Sequence, residues 1–302
     1  MTAPMTATMT PAKPFPPSYT HDYLTQLERL GSAAALPRVK ALHLPPREAA
    51  DGARAEARGE FCALELADGT LGLAYVLLDD THGELAAASW RHDLAGSEAL
   101  DLVRAGFAAP GGALRSAGHA AAAALTRWCF DRAGFVPPAS GDSVGALQAE
   151  PGERVGMIGL FGPLIDRLLA RGVQLTVLEL RADLLDARPG LEVTLDPARL
   201  RGCQKVICTS TVLLNDTLDA VLAACADARW LAMLGPGAGC LPDGLFARGV
   251  TALGGTWITD GPAYVAGLVE GRPAGAAARK FTLTPADYPG FDALLGRLPG
   301  RG

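Results

Sequence analysis

The residues of this chain that could carry chemistry sit where short apolar runs end in its second half. Gly159-Leu160-Phe161-Gly162 closes the run Val155–Gly159, and Glu179 closes Val173–Leu178. Thr209-Ser210-Thr211, with Asn215 four residues on, follows Lys205–Cys208, and Gly235-Pro236-Gly237 follows Trp230–Leu234. Thr259-Asp260 lies just past Val250–Leu253. A glycine loop followed about 20 residues later by an acid is the pattern of a ribose-binding site, because the carboxylate can hold a sugar hydroxyl. Glu179 has that spacing from Gly159, as for NAD or S-adenosylmethionine. The glycine pattern itself is broken. GxGxxG starting at Gly159 would need glycine where Phe161 and Leu164 stand, and phenylalanine obstructs the approach of a pyrophosphate. An NAD site is therefore disfavoured. The three hydroxyls at 209–211 suit either an anion at a helix start or plain capping, and both readings stay open.

Other chemistries are thinner. Six cysteines, Cys62, Cys129, Cys203, Cys208, Cys225 and Cys240, form no CxxC pair and read as free buried thiols. Cys240, in the loop Gly239–Leu241, is the more exposed candidate for a soft transition metal. His21, His43, His82, His92 and His119 are scattered and make no HxxxH or HExxH. Ser210 and Cys240 are nucleophile candidates only by loop placement, because the second half has no histidine. A Ser-His-Asp triad would need a histidine from the first half to cross over, and none is expected to. His119, four residues after Arg115 in an alanine-rich stretch, reads as a surface position.

These loops need elements to hold them. The spacing of Tyr23, Leu24, Leu27 and Leu30 predicts a helix over Tyr19–Leu30, and Val39–Leu44 reads as a strand. Phe61–Leu66 and Leu71–Leu78 flank Asp68-Gly69, a hairpin signal, and Leu85–Trp90 reads as a third strand. Helices follow over Ser97–Phe107 and Ser116–Ala133. The first half thus reads as α+β, a sheet with helices on one face. Past residue 150, short strands alternate with helices over Pro163–Arg171, Asn215–Ala226, Pro242–Arg248 and Gly261–Val269. That alternation predicts a parallel, doubly wound sheet, with order 3-2-1-4-5 expected and ligands outside the carboxyl ends of its strands. The divisions expected are a tail over 1–18, an α+β domain over 19–136, a Pro/Gly linker over 137–152, a Rossmann-like domain over 153–282 and a C-terminal tail over 283–302.

Composition narrows the class. Of 302 residues, 49% are hydrophobic and 20% charged, which is globular chemistry. A net charge of −5 without a basic cluster argues against nucleic acid. No apolar run reaches the roughly 18 residues of a membrane span, and the Thr/Ala/Pro-rich start lacks signal-peptide organisation. A cytoplasmic location follows as the default, with a small-molecule or metal ligand as partner. Homo-oligomer formation stays open.

Several of these segments resemble one family. Pro151-Gly152-Glu153-Arg154-Val155-Gly156-Met157-Ile158-Gly159, Val177-Leu178-Glu179, Thr209-Ser210-Thr211, Asn215-Asp216-Thr217, Leu234-Gly235-Pro236 and Thr259-Asp260 are similar to the heavy-metal chelation family of bacteria and archaea. The hairpin Phe61–Leu66 with Gly72-Leu73-Ala74-Tyr75 looks like the N-terminal part of that family, which resembles the small capping domain of enolase. The resemblance implies an enolase-N-terminal-like domain, a Rossmann-like domain and a ligand site between them. The positions it points to are Gly159, Phe161, Glu179, Thr209, Thr211, Asn215, Gly235, Pro236 and Asp260, beside which the loop reading adds Gly162 and Ser210. The function it implies is binding of a metal ion or a metal-associated small molecule. The other reading is an enzyme that places a nucleotide-type cofactor such as S-adenosylmethionine in the same cleft.

Overall fold

The computed structural model describes residues 18–55, 60–141, 147–273 and 275–299. The expected N-terminal tail lies outside these except for Ser18, whose side chain caps the first helix by accepting from the His21 amide. The first half runs α1 (Tyr19–Ala33), β1 (Val39–His43), α2 (Arg47–Ala55), β2 (Phe61–Leu66), β3 (Leu71–Tyr75), α3 (Thr81–Ala87), α4 (Ala99–Ala108) and α5 (Gly112–Arg132). Its three strands form an antiparallel sheet in the order β1-β2-β3. The Asp68-Gly69 turn joins β2 to β3, with Thr70 N donating to Asp68 Oδ1. The third strand expected over Leu85–Trp90 is instead the end of α3 and a 3-10 turn at Ser89–Asp93. Alternating polar and apolar residues are too few there to hold a sheet edge, and Leu85 is buried from a helix.

α5 is the central element. Its run Ala120–Ala124 is buried on every side, as expected of a helix with no polar stripe. Small residues let the backbones meet. A Cβ on Gly118 would lie 2.6 Å from the Gly106 Cα of α4, and a Cβ on Gly72 of β3 would lie 2.1 Å from the Ala124 amide nitrogen. Ser116 Oγ donates to Tyr75 O and ties the same helix to the same strand.

The second half runs β4 (Arg154–Ile158), α6 (Gly162–Leu169), β5 (Gln174–Leu178), β6 (Asp186–Arg188), β7 (Leu191–Thr194), β8 (Lys205–Thr209), α7 (Leu218–Ala224), β9 (Trp230–Leu234), α8 (Asp243–Phe246), β10 (Ala252–Ile258), α9 (Gly261–Val269), β11 (Ala278–Leu283) and α10 (Phe291–Leu295). Its eight strands take the order β11-β10-β9-β8-β4-β5-β7-β6, parallel from β10 to β7 with an antiparallel strand at each edge. The order expected from sequence is corrected. Counting only the five strands predicted, it is 2-1-3-4-5. The cause is local: the β6–β7 hairpin takes the outer side of β5, so the chain returns to pair β8 with β4. The switch point therefore lies between β4 and β8.

Within the stretch 137–152, the Ala139–Phe281 bridge and the Ser140 N to Lys280 O bond lay residues 138–140 along β11. Leu147 is buried, and residues 142–146 lie outside those described. The stretch 283–302 is no loose tail over its described part. Tyr288 donates to Asp243 Oδ2 at 2.8 Å and sits among Phe130, Phe135 and Phe246, while Phe291 and Leu294 are buried. One hydrophobic core runs from α1 and α5 through β8, β9 and β10 to α10, so both sheets share it. Among the described residues, no helix is long and apolar enough to cross a membrane.

Candidate functional site

The loops at the carboxyl ends of β8 and β9 press against β3 and α5, and two cavities lie in this contact. The smaller, about 10 Å³, is lined by Tyr23, Leu73, Ala74, His119 and Ala123 on one side and Ser210, Leu213, Leu214, Gly237 and Cys240 on the other. That is room for one water. The larger, about 40 Å³, shares Leu73, Ala123 and Cys240 with it and extends to Arg127, Pro236, Thr256 and Trp257.

Of the polar residues that line them, His119, Thr126 and Arg127 come from α5, while Tyr23, Ser210, Cys240 and Thr256 come from other elements and Arg115 lines neither. His119 is not the surface residue the sequence suggested. Its Nε2 is buried without a hydrogen-bond partner, and its ring packs on Phe107 with centroids 4.7 Å apart. Burial, with the Arg115 guanidinium beside it, holds the imidazole down at about 3, so it is neutral at pH 7. A neutral imidazole with a bare ring nitrogen is a metal ligand or a proton acceptor. One helical turn earlier, Arg115 is only 3% exposed and pairs with Asp216. Its Nη1 donates to Ala109 O at 2.8 Å and its Nη2 reaches Leu213 O, while its Nε is buried without a partner. An unmade buried hydrogen bond costs about 1–3 kcal/mol. Two on one face of one helix therefore form a polar spot built at the expense of stability. The signal in the sequence was their placement: polar residues four apart in an alanine run that is buried all round have no solvent to face.

Cys240 is buried, 4% exposed, which corrects the expectation that it is exposed. Burial raises its thiol to about 11, against a smaller opposing effect of the Tyr19 hydroxyl. It contributes a protonated thiol, and a metal ion bound to the sulfur would displace the proton. All six cysteines are free and buried. Ser210 is buried too. A Cβ on Gly235 would come within 2.5 Å of Ser210 Oγ and one on Gly237 within 3.0 Å, so both glycines let the β9 loop close over this hydroxyl. A histidine does cross from the first half to the cavity of Ser210, against expectation, but His119 Nε2 makes no bond to it.

The remaining predicted positions are engaged locally. Glu179 accepts from Leu160 N at 2.6 Å through Oε1 and from Leu180 N at 3.0 Å through Oε2. It thus fixes the loop after β4, and the Leu160 amide is not free for an anion. Gly159, at φ +81°, has Thr209 Cγ2 2.9 Å from where a Cβ would sit, so this loop and the next touch. Phe161 lies at the start of α6 and is partly buried against the core of that face, and Gly162 opens the helix. Thr209 Oγ1 accepts from Thr211 N and bonds Thr211 Oγ1 at 2.9 Å, which is the capping geometry. Asn215 Oδ1 accepts from Thr217 Oγ1 at 2.6 Å and from Thr217 N. Asp260 caps α9 through Ala263 N. Of the predicted set, Ser210, Pro236 and Cys240 line the two cavities; Glu179, Asn215 and Asp260 do not.

Among the described residues, no three His, Cys, Asp or Glu side chains come together as a metal cage would require. His119 and Cys240 share one cavity wall, so the protein supplies two soft donors and leaves the rest of a coordination shell open.

Residues 142–285 match the family model of DUF364, described as "Putative heavy-metal chelation". The resemblance read from the sequence is thereby shown. Two solved structures share the fold. One is a DUF364 protein of unknown function from Desulfitobacterium hafniense, 18% identical, with a TM-score of 0.64 over 88% of this chain and 98% of that one. The other is a DUF364 protein of unknown function from Pyrococcus horikoshii, 19% identical, with a TM-score of 0.61 over 87% and 99%. No curated protein sequence matches the chain.

Proposed function

We propose, for a chain whose residues 142–285 carry the DUF364 domain, that it binds a transition-metal ion or a small metal-carrying molecule between its two sheets. The observation that carries this reading is that His119, whose Nε2 is buried without a hydrogen-bond partner, lines the same cavity as Cys240. The metal here is cargo. Two protein donors cannot complete a tetrahedral shell, so the carried molecule or water supplies the others. On this reading the first half is a cap of the enolase N-terminal kind over a Rossmann-like domain, and the protein works in a reducing compartment where its thiols stay free. The nucleotide-cofactor reading rested on Glu179, whose two oxygens both hold backbone amides.

Thermal denaturation with Zn²⁺, Cu²⁺, Ni²⁺ and Co²⁺ tests the proposal. A ligand of the folded state at 100 times its Kd stabilises by about 2.7 kcal/mol. At least one ion should raise Tm, and His119→Ala or Cys240→Ser should weaken its affinity by about 100-fold or more, beyond what second-shell changes cost. No shift with any ion, or a shift that both variants retain, overturns it.

A further inference from the structure

The two edges of the eight-stranded sheet are treated differently. Residues 138–140 run along β11 and cover that edge. At the other edge β6 pairs with β7, and among the described residues no backbone pairs with its outer side. Its three residues, Asp186, Ala187 and Arg188, are all exposed. The turn Pro189-Gly190 is two residues long and proline has no N–H, so Arg188 and Leu191 close the hairpin as a hydrogen-bonded pair. Asp186 and Val193 form the next such pair. Ala187, between them, therefore turns its N–H and C=O away from β7. An open edge invites another strand, and many proteins blunt it with charge that repels a second copy. Here the charges have opposite signs and stand two residues apart. Asp186 Oδ2 lies 3.4 Å from Arg188 Nε, and both side chains are about half exposed. An exposed pair at that distance holds its members weakly, so both remain available to a partner.

We infer that β6 pairs antiparallel with β6 of a second copy of this chain, about a two-fold axis through Ala187. That axis sets Asp186 of each copy opposite Arg188 of the other, and opposite charges facing each other across a strand pair attract. The Ala187 N–H of each copy donates to the Ala187 carbonyl of the other. Leu185, 51% exposed, comes opposite Pro189, so apolar surface meets apolar surface. The stretch Leu185-Asp186-Ala187-Arg188-Pro189 is thus complementary to itself when run backwards, which an isologous contact requires. Pro189 donates no N–H, so the pairing stops there. The two-fold relation also uses up the open edge of both sheets, and the assembly closes as a dimer instead of growing into a fibre. A contact of a few residues a side is small, so the association is weak and depends on concentration.

Sedimentation equilibrium of the full chain at low salt tests this. The weight-average mass of the wild type should rise with concentration toward twice that of one chain, with Kd below about 1 mM. Asp186→Arg or Arg188→Glu alone sets like charges opposite each other across the axis, and each should weaken self-association at least tenfold. An equal mixture of the two variants sets unlike charges opposite again and should associate at least as well as the wild type. Both side chains are half exposed, so unchanged thermal unfolding of the variants checks that only the contact was altered. The same two charge reversals at the exposed pair Asp101 and Arg104 of α4 should leave self-association as in the wild type. A wild type that stays monomeric at about 1 mM overturns the inference, whatever the variants do. So does self-association that both β6 variants retain, a mixture that stays monomeric, or an equal loss from the α4 changes.

Discussion

Gly72→Ala is the sharpest test of how the fold holds the site. Gly72 lies in β3 where the strand meets α5 without an intervening side chain. A Cβ there would sit 2.1 Å from Ala124 N, 2.2 Å from Ala120 O and 2.7 Å from Ala123 C. All three are backbone atoms of a helix buried on every side, so no rotamer change relieves the contact. Ordinary carbon contacts are about 3.5–4.0 Å, so α5 and β3 must separate by about 1.5 Å. Overpacking of this kind costs about 1–3 kcal/mol, and more where only backbone can move. The upper end applies here, against a total stability of about 5–15 kcal/mol. The same displacement carries His119, one residue before the clashing turn, away from Cys240, whose loop belongs to the second half. Urea unfolding and Co²⁺ titration on the same preparation read both effects. The variant should unfold about 3 kcal/mol more easily and bind Co²⁺ at least tenfold more weakly where it is still folded. Wild-type stability would refute the direct strand-on-helix contact. Lost stability with unchanged Co²⁺ affinity would refute the role of α5 in presenting His119.

Two further predictions separate the site from its surroundings. A Cβ at Gly162 meets nothing within 4 Å, so Gly162→Ala should leave the fold intact or stabilise it by up to about 1 kcal/mol through helix propensity. Metal affinity should not change, and a loss would show that the ligand reaches the loop after β4 instead. Glu153 is held below the usual carboxylate range chiefly by its bond from Lys205 Nζ at 2.8 Å, with burial opposing. A depressed folded value means that the stability it contributes is present above its unfolded value of about 4.3 and is lost as pH falls through the folded value. Glu153→Gln should therefore cost up to about 1 kcal/mol at pH 7 and much less at pH 3, read as the gap between urea midpoints. An equal gap at both pH values would contradict the ion pair.

Much of the frame was legible in the residues. Apolar runs of four to six residues ending in glycine, hydroxyl or acidic residues mark β4, β5, β8 and β9. Asp68-Gly69 marks the hairpin, because a turn there needs a residue that accepts φ of +88° at Gly69. The order of the strands was not legible, since pairing between β4 and β8 depends on the β6–β7 hairpin occupying the far side of β5. Among candidate site residues, hydroxyl and acidic side chains at strand ends looked alike in the sequence. Cap and ligand contact demand the same chemistry, and only the hydrogen bonds of Glu179, Asn215 and Asp260 show which partner each has.

The sequence by itself determined the elements, because local periodicity, turn residues and propensity act over a few neighbours. It also offered Cys240 in a glycine loop as a candidate, but placed His119 in the alanine-rich helix as a surface position. Only the tertiary structure decided that these meet. His119 and Cys240 are 121 positions apart, and what joins them is the glycine-mediated contact of β3 with α5 and the closure of the β9 loop over Ser210. Burial at that contact, which no local pattern encodes, makes the histidine neutral and leaves its nitrogen and the Arg115 Nε without partners.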